Sequence, residues 1–147
     1  MEVIARKKEG LFLVYAIAFG LGGILLILGL VFTANLENEL AKIVAVGAAI
    51  VVMAIGGVTC IRVLLTPKEM IVYEGESLRL ASGVTFSPRL IERVTYRLAS
   101  AKGVQYEWGK LCVFVGGKEY SYHFVADVEQ AHNRLIALRS EATEQKK

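Results

Sequence analysis

The chain has 147 residues, 54% of them hydrophobic, with a formal net charge of +3. That charge is too weak for a nucleic-acid binder, and the hydrophobicity is too high for an ordinary soluble protein of this length. It is also unevenly spread: the apolar excess lies before Thr66 and most of the charge after it, so the sequence divides into a membrane part and a soluble part.

Residues 1–10 carry Arg6, Lys7 and Lys8 and read as a cytoplasmic N-terminal flank. The run Leu11–Thr33 (11–33) has no charged residue. At ~1.5 Å per residue it spans ~34 Å, enough to cross a hydrocarbon core of ~30 Å. It is longer than the ~7–15 apolar residues of a cleaved signal peptide. A second run, Ile43–Leu65 (43–65), carries only Arg62, one turn from its end, where the side chain can snorkel to the headgroups. Neither run has a polar face, which sets both apart from buried core helices. The connection 34–42 is short, so it makes the helices antiparallel neighbours and reads as an extracytoplasmic loop.

Five basic residues flank the outer ends (Arg6, Lys7, Lys8, Arg62 and Lys68), against Lys42 alone in the connection. The positive-inside rule therefore puts both termini in the cytoplasm of a multi-pass inner-membrane protein. Small residues are candidates for close helix packing: Ala16, Ala18, Gly20 and Gly22 in the first run, Ala45 and Ala49 in the second. Gly20-x-Gly22 is not a nucleotide loop, because no strand precedes it and the third glycine is missing. No acidic residue lies in either span, which removes the usual carriers of proton or cation transport.

After Thr66 the period changes. Short alternating runs separated by turn residues predict strands at Met70–Tyr73, Leu78–Leu80, Val84–Phe86, Val94–Leu98, Val104–Glu107, Leu111–Val115 and Glu119–Val125. Gly116-Gly117 is the clearest hairpin turn. Asp127, with Gln130 three residues on, suggests a capping box for a last helix. Val128, Ala131, Leu135, Leu138 and Ala142 form its apolar stripe. The soluble domain is expected over 66–140, followed by a disordered tail at 141–147.

Seven short strands and one terminal helix resemble a pleckstrin-homology (PH) fold. The layout also resembles bacterial membrane proteins in which two transmembrane helices precede a PH-like domain. The resemblance is carried by Leu65-Thr66-Pro67-Lys68-Glu69-Met70-Ile71-Val72, Leu90-Ile91-Glu92-Arg93-Val94, Gly109-Lys110-Leu111-Cys112-Val113 and Phe124-Val125-Ala126-Asp127-Val128. It implies an α+β membrane protein: a two-helix hairpin plus a seven-stranded bent β-sandwich or barrel with a capping helix.

Chemistry-bearing residues are few. His123 and His132 fall on different elements, without metal-ligand spacing, and no nucleophile elbow occurs. Cys60 and Cys112 read as two buried small residues, not a disulfide. The expectation is therefore a non-enzymatic protein without metal or cofactor. Arg79, Arg93 and Arg97 alternate with apolar positions and are expected on an outward sheet face, flanked by Arg89 and Lys102, where they would meet anionic lipid. Tyr106 and Trp108 are candidates for core packing or for headgroup or partner contact. The expected partners are the lipid bilayer and another protein or a second copy, with no nucleic acid. The leading reading is an interaction or assembly module anchored at the cytoplasmic membrane face. The alternative is an accessory subunit of a transporter or channel acting through its hairpin.

Overall fold

A computed structural model describes residues 1–34 and 39–144. Two compact units result: Gly10–Leu65, and a second unit made of Met1–Glu9 together with Thr66–Lys147.

The first unit is a pair of helices, α1 (Leu11–Ala34) and α2 (Glu39–Leu65). Both are long and apolar enough to cross a membrane. Gly23 lies against Met53, and Gly56 against the Phe19 ring. As α1 advances from 19 to 23, its contacts on α2 retreat from 56 to 53, so the helices run antiparallel. Most of their large apolar side chains face outward; Leu25 is 69% exposed and Phe32 75%. The core helix of a soluble protein would bury such residues. α2 begins at Glu39, four residues before the expected Ile43, and Lys42 bonds back to Glu39 at 3.2 Å. The part of the expected loop at 35–38 lies outside the described residues.

The second unit holds seven strands and a helix. One sheet has the order β1-β2-β3-β4: β1 (Glu2–Arg6), β2 (Glu69–Tyr73), β3 (Leu78–Leu80) and β4 (Thr85–Phe86). The other is β5-β6-β7: β5 (Ile91–Ala101), β6 (Val104–Val115) and β7 (Lys118–Val125). All pairings are antiparallel. The sheets are joined at one end by a bridge between Lys7 and Val125. There the Lys8 N–H donates to the Phe124 carbonyl and the Ala126 N–H to that of Arg6, each at 2.8 Å. The strands do not close into a barrel.

The count of seven matches the expectation, but its membership does not. The N-terminal flank contributes β1, which pairs Glu2 with Tyr73 and Arg6 with Glu69 and buries Ala5 completely. The helix pair is therefore inserted between two hydrogen-bonded strands, and the Lys7 N–H donates to the Lys68 carbonyl at 2.8 Å. The two strands expected at Val104–Glu107 and Leu111–Val115 are one, because Trp108-Gly109-Lys110 continues the pairing with β5. Only glycine fits at 109, since a Cβ would meet the Arg97 carbonyl. Two-residue turns close both hairpins, with positive φ at Lys102 and Gly103, and at Gly116 and Gly117, as type I′ geometry requires.

The core lies between the sheets and α3 (Val128–Glu144). Ile71, Leu78, Leu80, Ile91, Leu111 and Val113 meet Val128, Ala131, Leu135 and Leu138, the stripe read from the sequence; Ala142 is only half-buried. Asp127 has φ +45, which is left-handed and not the extended conformation of a capping residue. It serves as the turn out of β7, and its carbonyl receives the Ala131 N–H. The tail expected from 141 is helical to Glu144, held by Arg134–Glu141 at 3.3 Å; residues 145–147 lie outside the described residues.

Candidate functional site

Strand alternation gives the β5-β6-β7 sheet two unlike faces. On the inner face Val94 opposes Val113 and Tyr96 opposes Leu111. On the outer face Arg93 opposes Phe114, Thr95 opposes Cys112 and Arg97 opposes Lys110. The Arg93 guanidinium lies 4.4 Å from the Phe114 ring centre, a cation–π contact. Further along the same face Trp108 stacks with Tyr106 at 5.9 Å and meets Phe124 at 6.0 Å.

Two irregularities open a cleft on this side. The β5–β6 register slips between Leu98 and Ser100, and the β6–β7 register between Gly109 and Leu111. Next to the second slip Phe124 adopts φ +61, a conformation that costs a non-glycine residue ~1–3 kcal/mol. The cavity at this place, of about 290 Å3, is lined by Arg97, Ser100, Trp108, Lys110, His123 and Phe124, together with Leu98, Ala99 and Gly109. Arg97 and Lys110 are directly opposed like charges, an arrangement that destabilises a strand pair. Neither joins an ion pair among the described residues.

The other basic candidates lie elsewhere. Arg79 is on β3, in the other sheet, and bonds Glu74 at 2.8 Å. Arg89 belongs to the single 3-10 turn Pro88–Leu90, and Lys102 sits at the β5–β6 hairpin tip. The expected basic face is therefore divided between two sheets, and only Arg93 and Arg97 share one. Tyr106 and Trp108 are outside the core, whereas Tyr120 and Tyr122 pack against it. Burial holds the Tyr122 phenol above its ordinary pKa, partly opposed by a hydrogen bond with Ser82. Lys110, Ser100 and Phe124 were not singled out in the sequence as site residues. Their signal was the alternation Trp108-x-Lys110, visible only once 104–115 is read as one strand.

In the helix pair, Ala49 is buried, Ala16, Gly22 and Ala45 are half-buried, and Ala18 and Gly20 are exposed. The close approaches are at Gly23 and Gly56.

A second concavity, of about 300 Å3, lies between β1 and α3. It is crossed by Arg134, which binds both Glu2 carboxylate oxygens at 2.9 Å. That hydrogen-bonded pair holds the Glu2 carboxyl below its ordinary pKa and raises that of Arg134. Both cysteines are free thiols. Among the described residues no group of three His, Cys, Asp or Glu side chains is gathered as for a metal.

Protein-family models, curated proteins and solved structures give no match to this chain. The functional reading therefore rests on the geometry above.

Proposed function

We propose that this protein is a non-enzymatic interaction module anchored in the cytoplasmic membrane. α1 and α2 cross the bilayer as a hairpin, and the β-rich unit sits on the cytoplasmic side, where it binds another protein or a second copy of itself. The observation that carries the reading is the insertion of the hairpin between β1 and β2. Because Lys7 and Lys68 are hydrogen-bonded neighbours, the chain leaves and re-enters the β-rich unit at one place. A two-span excursion into lipid from one side meets that condition; an odd number of spans does not. The exposed apolar surfaces of both helices support lipid as their surroundings. Basic residues at the hairpin's outer ends support the cytoplasm as the side of the β-rich unit.

Four strands, then three, then a capping helix support the PH-like reading of that unit. Open sheet edges of this kind add a strand from a partner. The test is a variant in which residues 1–9 are joined directly to 66–147 through a Gly-Ser linker. It retains β1, which residues 66–147 alone would lack. On the proposed reading this hairpin-free protein is soluble and captures the same crosslinked partner, or the same second copy, as the full chain in membranes. Capture only by forms containing α1 and α2 contradicts it.

A further inference from the structure

We infer that the outer cleft of the β5-β6-β7 sheet binds a phosphate-type oxyanion. The inference deepens the module reading and rests on it in taking the β-rich unit as the working part. Three features converge. Arg97 and Lys110 are forced opposite one another by strand register without an ion-pair partner among the described residues, and His123 and Ser100 line the same cavity. An Arg fork beside a Lys point charge suits the several oxygens of a phosphate, and a bound dianion would offset the repulsion between them. The register slips and the left-handed Phe124 open the cleft at these residues, and strain of this kind is retained at ligand sites. The volume of about 290 Å3 lies at the small end of ligand pockets, which fits a phosphate with a short carbon stem. Trp108 and Phe124 supply an apolar wall for that stem.

A phosphate oxyanion is presented both by a soluble monoester, which carries close to two negative charges near neutrality, and by a phospholipid headgroup, a diester with one. Trp108 is the chain's single tryptophan, so its fluorescence reports on the cleft alone. The full-length protein is placed in phosphatidylcholine nanodiscs and titrated with inorganic phosphate and with glycerol phosphate, at ionic strength held constant with chloride. A parallel sample uses nanodiscs containing phosphatidylglycerol. A saturable Trp108 change with either soluble phosphate identifies a free ester as the source. A change confined to phosphatidylglycerol nanodiscs identifies a headgroup.

In either case Arg97→Gln with Lys110→Gln weakens the response at least tenfold, the loss of roughly one charge-assisted hydrogen bond or more. Arg97→Lys with Lys110→Arg retains most of it, and Arg79→Gln, on the other sheet, leaves it unchanged. The exchange variant guards against a folding defect. No saturable change in any sample, or an equal change in the Gln variant, overturns the inference. Partner capture by the hairpin-free protein is scored separately, so loss of the cleft and loss of the module reading give different results.

Discussion

Gly109 is the residue on which the site geometry turns. Its missing Cβ lets β5 and β6 approach at Arg97, which in turn sets Arg97 opposite Lys110. Gly109→Ala is expected to destabilise the β-rich unit by about 1–3 kcal/mol, as overpacking does, measured by chemical denaturation in detergent. Glu2 and Arg134 act at the same scale. The carboxyl pKa is lowered in the folded chain, so the pair's contribution is present above the ordinary glutamate range. It is lost as pH falls from that range through the lowered folded value, because across that window the unfolded chain binds more protons than the folded one. Both groups are substantially exposed, which limits the effect to at most ~1 kcal/mol. Arg134→Gln is expected to lower thermal stability near neutrality by up to ~1 kcal/mol and to leave it little changed in acid below the lowered carboxyl value, so that this part of the acid dependence disappears. At this scale alternation picked out Arg93 and Arg97 for one sheet face, and Trp108 stood out as an aromatic beside an expected turn. Alternation did not disclose that Arg79 stands on another sheet, because sheet membership follows from long-range pairing that no local pattern carries.

At the scale of elements, uniform apolarity located both helices, and the 3.6-residue stripe located α3 with its buried positions. The hairpin turn at Gly116-Gly117 was equally plain, since its dihedrals demand such residues. β1 was hidden for a physical reason: Arg6, Lys7 and Lys8 read as a membrane flank, and the strand's partner lies beyond two helices. β6 was split because Gly109 resembles a turn residue when it is a point of close approach. The PH-like resemblance came from the order of elements together with four short, mostly apolar segments. In the helix pair, motif spacing favoured Gly20, yet a Cβ there meets nothing, whereas one at Gly56 meets the Phe19 ring. Gly56→Ile is therefore expected to destabilise the hairpin by about 1–3 kcal/mol and Gly20→Ile to be nearly neutral, compared by thermal unfolding in the same detergent.

For the whole molecule, the pairing of β1 with β2 ties the first residues of the chain to the unit that follows the hairpin. The first sheet is complete only when the two ends of the helix pair come together, because β1 precedes it and β2 follows it; on the proposed reading, insertion into lipid and completion of the sheet are linked events. The most direct test is cysteine labelling in intact cells with a membrane-impermeant maleimide, on a chain whose Cys60 and Cys112 are replaced by Ala. Single cysteines are placed at Val3, at Glu107 and in the 35–38 connection. The account predicts labelling of the connection in intact cells, and of Val3→Cys and Glu107→Cys only after permeabilisation. Labelling of Val3→Cys and Glu107→Cys from opposite sides, or of Glu107→Cys in intact cells, would contradict it.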